Sequence, residues 1–175
     1  MKALAIAAIG RDRPGIVASV SRVLFDLGCN VEDSSMTLLR GNFSMMLVIA
    51  CPDDLSALAA REALQPACDE LGLVFSVLEV DDRASVPDPT HVLTVYGGDK
   101  PGILLAMTEL LARDGVNITD LNSRLVGDEQ PVYALILELE VPSTVDAAGL
   151  EARTRSVAAE IGVDVVLNER GADVL

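Results

Sequence analysis

Two short segments carry residue types that could bind a small anionic ligand. Gly10-Arg11-Asp12-Arg13-Pro14-Gly15-Ile16 recurs 87 positions later as Gly97-Gly98-Asp99-Lys100-Pro101-Gly102-Ile103. Each segment follows a short apolar run and precedes apolar residues at helical spacing, which predicts a junction between a strand and a helix. The first amides of a helix lack intrahelical acceptors and lie at the positive end of the helix dipole, so such a junction suits a carboxylate.

The junction also contains residues that would leave its backbone open. Gly15 and Gly102 have no side chain, so a ligand could approach the main chain closely. Pro14 and Pro101 suit the first helical turn, where the missing N–H leaves no hydrogen bond unmade.

Asparagine and aspartate open a second predicted strand in each copy. Asn30 and Asn117 could supply a carbonyl to an ammonium group, and Asp33 and Asp120 could add negative charge to the same end. Together with the loop, these residue types fit the zwitterion of an amino acid.

Every one of these residues also has a structural interpretation. Asp12 and Asp99 could cap the helix, Pro-Gly could simply turn the chain, and Asn could tolerate an unusual backbone angle after Gly. The complete pattern, with Asn fifteen residues after the second glycine and present twice, favours a binding site.

The duplication extends beyond the loop. The same offset aligns ten identical residues between positions 10 and 38, several of them Gly, Pro, Asn or Asp. These residue types mark backbone geometry or polar sites, so the pattern indicates one module present twice.

Each copy predicts the element order βαββαβ, the ferredoxin-like arrangement. In the two copies respectively, first strands are expected over residues 3–9 and 91–96, second strands from 30 and 117, second helices over about 53–71 and 145–161, and last strands over 73–80 and 163–168. Pro66 is expected to kink or divide its helix. The fold class is α+β, with antiparallel sheets and helices on one face. We expect domains over 1–80 and 91–170, a linker over 81–90 and a tail over 171–175.

The middle strands carry the most informative patterns. In one of them an apolar side chain stands at every second position from 133 to 141, with Glu138 and Glu140 on the other side. Residues 45–50 are instead apolar on both faces, which predicts that both faces are covered. Residues 30–37 give no clean apolar face in either parity. They predict an edge strand that faces a ligand or a neighbouring domain, or equally a solvated edge kept polar against aggregation.

Composition excludes several classes of protein. The net charge is −14, with 6 basic and 10 acidic side chains in residues 1–80 and 6 and 14 in residues 91–175. Only five aromatic residues occur, and none is Trp. Direct contact with nucleic acid is therefore not expected, because it requires cations and stacking side chains.

The same sequence favours a cytoplasmic protein. Cys29, Cys51 and Cys68 form no CxxC pair and are interpreted as small core residues of a reduced protein. No apolar run approaches the ~20 residues of a membrane span. Residues 1–9 could pass for a signal peptide, but they meet charged residues without a cleavage-like site and have an internal counterpart.

No residue pattern indicates catalysis. His91 is the only histidine and opens a predicted strand, where a structural or solvated role is expected. The adjacent carboxylates at 53–54 and 81–82 are explained by a helix start and a linker. We therefore predict no catalytic residue, no metal site and no cofactor.

The repeated segments resemble the ACT domain, a ferredoxin-like regulatory module that usually binds amino acids, in two tandem copies. The first copy is most similar to the glycine cleavage system transcriptional repressor group, through residues 10–17, 28–36 and 43–47. The second copy has Thr119-Asp120-Leu121-Asn122 in place of the Glu-Asp-Ser continuation and resembles ACT domains in general.

The resemblance implies how such a protein would work. ACT domains associate side by side, and their effectors sit between the first loop of one domain and the second strand of its neighbour. The repressor group is thought to contact a DNA-binding activator, not DNA. The candidate ligand contacts are then Asp12, Arg13, Gly15, Ile16, Asn30, Asp33, Asp99, Lys100, Gly102, Ile103, Asn117 and Asp120.

We therefore expect an amino-acid-responsive regulator without catalytic activity, with glycine or serine as the favoured effector. It would form a homodimer and act through a regulatory protein partner, although pairing of the two copies within one chain fits equally well. Two alternatives are a separate regulatory subunit of a biosynthetic enzyme, like the small subunit of acetolactate synthase, and a structural ACT module that binds no ligand.

Overall fold

A computed structural model describes residues 2–80, 88–127 and 131–171. These residues form two compact units, and each is described by itself. Most of the expected linker (81–87), residues 128–130 and most of the expected tail (172–175) lie outside the described residues.

The first unit has the predicted βαββαβ order. Its elements are β1 (Lys2–Arg11), α1 (Ile16–Asp26), β2 (Asn30–Leu39), β3 (Asn42–Cys51), α2 (Ala57–Leu71) and β4 (Val74–Val80). The strand order in the sheet is β2-β3-β1-β4, and all neighbouring strands are antiparallel. The edge of the sheet at β2 is therefore unpaired within the unit.

The second unit repeats this arrangement. Its elements are β5 (His91–Gly98), α3 (Ile103–Arg113), β6 (Asn117–Val126), β7 (Val132–Glu140), α4 (Ala147–Glu160) and β8 (Asp164–Glu169). The strand order is β6-β7-β5-β8, again antiparallel throughout. The predicted fold class is confirmed.

The core of each unit lies between its two helices and one face of its sheet. Ile16, Val20 and Leu24 are the buried residues of α1, at the predicted helical spacing. In α3 the buried residues are Ile103, Met107, Leu110 and Leu111. These side chains pack with buried strand residues and with α2 or α4 in one cluster per unit.

Strand β7 alternates as predicted, but the outer face of β3 is covered only in part, because Ala50 is buried there and Met46 is not. Leu135, Leu137 and Leu139 are fully buried against the helices. In β3, Met46 is 56% exposed, so the expectation that both faces are covered is wrong. The reason is that both helices of the unit pack on the same face, which leaves the other, outer face of the sheet without a helix.

The second helices begin later than predicted because each starts at a capping side chain. Ser56 Oγ accepts a hydrogen bond from the Ala59 amide at 3.0 Å, so α2 begins at Ala57. Pro66 lies inside α2 and does not divide it. Buried side chains on either side, Leu64 and Cys68, hold both halves against the core.

No helix within the described residues is long and apolar enough to span a bilayer.

Candidate ligand-binding site

The helices that follow the two loops begin without a side-chain cap. Gly15 and Gly102 are the N-cap residues of α1 and α3, and both have φ 97°, a left-handed conformation that favours glycine. The other two helices are capped, α2 by Ser56 and α4 by Asp146, whose Oδ2 accepts from the Gly149 amide at 2.9 Å. Only the loop helices of the two copies therefore leave their first amides uncapped.

The structure rules out two of the local interpretations. Asp12 and Asp99 do not cap a helix, because no side chain does so at α1 or α3. Pro14 lies before the N-cap and not in the first helical turn, because Gly15 must take the left-handed conformation before the helix can begin. Pro101 lies before its N-cap Gly102 in the same way.

Two neighbouring residues connect the loop of the first unit to other parts of that unit. The amide of Asp12 donates to the carbonyl oxygen of Gly41 at 3.0 Å, which joins the loop to the turn between β2 and β3. The Arg13 guanidinium donates to the carbonyl oxygen of Glu70 at 3.4 Å. Glu70 lies in the last turn of α2, where a cation offsets the negative end of the helix dipole.

Lys100 takes the corresponding position in the second unit. Its Nζ lies 3.3 Å from the point where a Cβ would stand on Gly162, directly after α4. Arg13 thus contacts the end of the second helix of its unit, and Lys100 lies beside the end of the corresponding helix.

The isoleucine that ends each loop motif packs its side chain into the core. Ile16 and Ile103 are each 2% exposed, so only their main-chain amides can reach a ligand. The first glycine of the motif is required by close contact. A Cβ on Gly10 would lie 2.7 Å from Leu73 Cδ2, and one on Gly97 would lie 2.9 Å from Val163 Cγ1.

A β-bulge in β2 determines which face carries the polar residues. Asn30 pairs with Ala50 and Val31 with Ile49, but the next aligned pair is Asp33 with Val48. Glu32 is the extra residue, and it turns Asp33 from the helix side to the outer face of the sheet. Asn30 and Asp33 consequently lie on the same outer face, near the beginning of the strand.

The bulge explains why residues 30–37 show no simple alternation. With the extra residue, Val31, Met36 and Leu38 all lie on the helix side, opposite Ile49, Met45 and Phe43 respectively. Strand β6 has the same irregularity between Ile118 and Asp120. A strand read without its bulge changes parity halfway along.

The loop residues and the strand residues lie at opposite ends of each unit. Asn30 of β2 pairs with Ala50 of β3, which in turn pairs with Ala3 near the beginning of β1. Asp12 instead follows Arg11, at the opposite end of β1. Nine residues of extended chain separate Ala3 from Asp12, which corresponds to roughly 30 Å. The register of the second unit separates Asn117 from Asp99 in the same way. Each unit therefore keeps the predicted residues in two separate groups, one at each end, and does not bring them together.

A groove on the outer face of the second sheet contains residues that the sequence analysis missed. It has a volume of about 440 Å³ and is lined by Asp120, Asn122, Arg124, Val126, Ala134, Ile136 and Glu138. Asp120 Oδ2 accepts from Asn122 Nδ2 at 2.7 Å. The two-residue spacing after Asp120 could have identified Asn122 and Arg124, since alternate residues of a strand share a face.

Other chemistry receives little support. No group of three potential metal ligands occurs within the described residues. His91 is half-buried, with Nδ1 2.9 Å from Thr90 Oγ1, and its Nε2 is buried without a hydrogen-bond partner. The Thr90 hydroxyl that His91 contacts is itself bonded to the Leu139 carbonyl oxygen and the Val141 amide, which indicates a structural role for this pair.

Comparison with known proteins identifies the module. Residues 2–77 and residues 90–168 each match the sequence profile of the ACT domain. The glycine cleavage system transcriptional repressor of Escherichia coli is 28% identical over 170 residues, which cover 94% of this chain and 88% of the repressor. Phosphoserine phosphatase SerB2 of Mycobacterium tuberculosis is 29% identical over 95% of this chain but only 40% of its own length.

Solved structures support the same fold over the whole chain. A crystal structure of a protein of unknown function from Galdieria sulphuraria has a TM-score of 0.83 with 26% identity, and 97% of this chain and 99% of that chain are covered. A candidate glycine cleavage system transcriptional repressor has a TM-score of 0.71 with 22% identity and 97% coverage of both chains.

Proposed function

The chain belongs to the ACT-domain family, and on this basis we propose that it is a non-catalytic regulator that binds a small amino acid, glycine or serine in preference. The effector would signal through contact with another protein. The observation that carries this proposal is the separation of the predicted contacts into two groups at opposite ends of a free sheet edge, and we interpret these groups as two half-sites.

Pairing of two such edges would complete the site. The end of β2 lies in the same row as the end of β1, because Leu39 pairs with Asn42 and Asn42 pairs with Arg11. When two β2 edges pair antiparallel about a two-fold axis, the beginning of one strand lies beside the end of the other. Asn30 of one chain would then face the loop that begins at Asp12 in a second copy.

The two half-sites are chemically complementary to an amino acid. The uncapped amides after Gly15 would receive the carboxylate, since they point outward at the positive end of α1. The Asn30 side-chain carbonyl and the Asp33 carboxylate would receive the ammonium group. One Asp33 oxygen, Oδ1, already accepts from the Ser34 amide at 2.8 Å, which fixes the direction of this side chain.

Exposed apolar side chains at this edge favour a homodimer. Met36 and Leu38 are each 51% exposed and Leu39 is 65% exposed, although all three belong to a sheet strand. Phe25 on α1 is 72% exposed. A neighbouring sheet and helix would remove this apolar surface from water, which is favourable at about 25 cal/mol per Å².

The protein partner is proposed from charge. A chain with a net charge of −14 would be repelled by nucleic acid phosphates, so regulation of a gene would require a contact with a DNA-binding protein. The Escherichia coli relative, a transcriptional repressor that matches along 94% of this chain, supports such a role.

A second candidate function is control of an enzyme. The mycobacterial phosphatase relative matches nearly all of this chain within 40% of its own length, so a similar tandem segment occurs there in a longer protein. This chain would then act on a separate catalytic subunit. Affinity purification from the native cell distinguishes the two candidates, because one requires a DNA-binding protein and the other a large catalytic chain.

The effector is tested by calorimetric titration of the purified chain with the twenty amino acids. We expect glycine or serine to bind, and Asn30→Ala or Asn117→Ala to weaken binding by about ten- to a hundredfold through loss of a hydrogen bond to a charged group. Asn168→Ala is the matched control, because Asn168 is exposed on β8, at the other edge of the sheet. Absence of binding by every amino acid at millimolar concentration would contradict the proposal.

The dimer is tested by light scattering. The chain has a mass of 18.4 kDa, so the homodimer requires twice that molar mass. A monomer at micromolar concentration would contradict pairing between chains.

A further inference from the structure

Two of the three cysteines lie in direct contact in the first unit. The Sγ atoms of Cys29 and Cys51 are 3.3 Å apart. Cys51 is 1% exposed, whereas Cys29 is only partly buried and can be reached from solvent. Cys68 belongs to α2 and is buried on the face that packs against the sheet.

The backbone holds the two cysteines opposite each other. Asn30 pairs with Ala50, so the preceding residue Cys29 stands opposite the following residue Cys51. Opposed residues of an antiparallel pair have Cα atoms about 4.5–5.5 Å apart, which lies within the range of disulfides. The bulge at Glu32 causes this alignment. The strand pairing between Asp33 and the turn, if it continued back to Cys29 without the extra residue, would place Cys29 opposite Pro52.

The second unit shows that packing does not require thiols here. Val116 stands in the position of Cys29, and each donates its amide to the residue five positions earlier, Leu111 or Leu24, at 2.9 Å. Val141 stands in the position of Cys51, because it directly follows the residue that pairs with Asn117, as Cys51 follows the residue that pairs with Asn30. Both valines are buried, at 6% and 9% exposure. An apolar pair therefore fills the site equally well, and the thiols supply reactivity that valine lacks.

We propose that Cys29 and Cys51 form a reversible disulfide by exchange with a low-molecular-weight disulfide such as oxidised glutathione. The Cys29 thiolate attacks one sulfur of the oxidant, forms a mixed disulfide and releases one glutathione thiolate. The Cys51 thiolate then attacks the Cys29 sulfur and releases the second glutathione. Two protein thiols are oxidised to a disulfide, the disulfide of the oxidant is reduced to two thiols, and the two protons lost by the protein thiols end on the two released glutathione thiolates.

The order of the two attacks follows from exposure and ionisation. Burial, with the neighbouring Cys29 as a smaller cause, raises the pKa of the Cys51 thiol to about 12. Since the thiolate is the nucleophile, Cys51 is a poor first attacker and acts after Cys29 has reacted. The second step should therefore accelerate as the pH rises.

The bridge would act at the beginning of β2. Cys29 directly precedes Asn30, so a covalent link to Cys51 would fix the end of the strand that carries Asn30 and the bulge. This inference does not depend on the identity of the effector, because the bridge can be measured in the absence of any ligand.

The experiment uses the purified full chain in glutathione buffers of increasing oxidised fraction. Titratable thiols, counted after unfolding, should fall from three to one, and peptide mass spectrometry should find residues 29 and 51 joined with the loss of two hydrogens. Oxidation should also raise the midpoint of thermal unfolding by about 5 °C or more, because the bridge restricts the unfolded chain.

The second unit supplies the control variant. Cys29→Val with Cys51→Val copies its valine pair, so the variant should fold, keep one thiol in every buffer and show no shift in thermal midpoint. Cys68→Ala should fall from two thiols to none. Three titratable thiols in wild-type protein after oxidation, or a glutathione that remains on Cys29, would overturn the proposal.

Discussion

The two units share the positions that define their backbone and differ in the side chains on the outer faces of their sheets. Glycine stands in both copies at the close contact before each loop, at the left-handed N-cap and after the first helix. The bulge at the start of the second strand also occurs in both. These features depend on steric limits that few other residues satisfy.

The outer faces have diverged in polarity. By register, Val48 beside Asp33 in the first unit corresponds to Glu138 beside Asp120 in the second. Thr37 likewise corresponds to Arg124, so the second outer face carries charges where the first carries an apolar and a neutral polar side chain.

The same position beside the bulge shows the consequence. The pocket next to Asp33 has a volume of about 80 Å³ with Met46 and Val48 in its lining, whereas the groove next to Asp120 has about 440 Å³ and a charged lining. A duplicated backbone thus supports two surfaces that differ in volume and in charge.

The interior differs at one position that can be exchanged between the units. Leu4 is fully buried in the first unit, and His91 takes the corresponding place opposite Leu139 in the second. Leu4→His should destabilise the first unit by about 3–5 kcal/mol, because it removes apolar contacts and buries a polar ring. His91→Leu should stabilise the second unit by about 1 kcal/mol, because a buried nitrogen without a partner is removed.

Urea unfolding of both variants checks this exchange, with amide hydrogen exchange to assign each effect to its unit. Equal destabilisation by both substitutions would show that His91 makes a stabilising contact and that the two cores are less alike than their register indicates.

Two adjacent glycines in the second unit test whether close contact explains the glycine that both units share before the loop, and the expected effect is smaller. A Cβ on Gly97 would lie 2.9–3.2 Å from three atoms of Val163, including its Cα, whereas a Cβ on Gly98 would meet nothing within 4 Å. Gly97→Ala should therefore cost about 1–3 kcal/mol of stability, and Gly98→Ala should be close to neutral. The measurement is the urea midpoint of each variant, and equal midpoints would contradict the close-contact explanation.

The sequence predicts the skeleton well because its signals are local. The order βαββαβ follows from the spacing of apolar residues and from the glycines that end strands and helices. The buried residues of α1 and α3 are the apolar residues at helical spacing. The coverage of β3 is predicted incorrectly because an apolar strand does not reveal how many faces its own unit covers.

The candidate site is predicted in residue type but not in arrangement. An extra residue at Glu32 is invisible in the sequence, since any of several neighbouring residues could form the bulge. That one residue decides that Asp33 lies on the outer face and that Cys29 lies opposite Cys51. The separation of Asn30 from the loop likewise depends on register, which no short motif contains.

The cysteines, present in the first unit alone, provide the finest test of the comparison. Burial raises the pKa of the thiols of Cys51, from about 9 to about 12, and of Cys68. A thiol whose pKa is raised by folding contributes stability that is complete below the unfolded value and is lost as pH rises through the folded value. In reducing buffer the free energy of unfolding of the first unit should thus fall by about 1 kcal/mol between pH 8 and pH 10, with a steeper fall towards pH 12.

Urea unfolding at these pH values checks the loss of stability, and Cys51→Val should reduce its dependence on pH because valine does not ionise. An identical slope in the variant would show that other ionisable groups cause the loss, and the two units would then not differ in alkaline stability on account of their thiols.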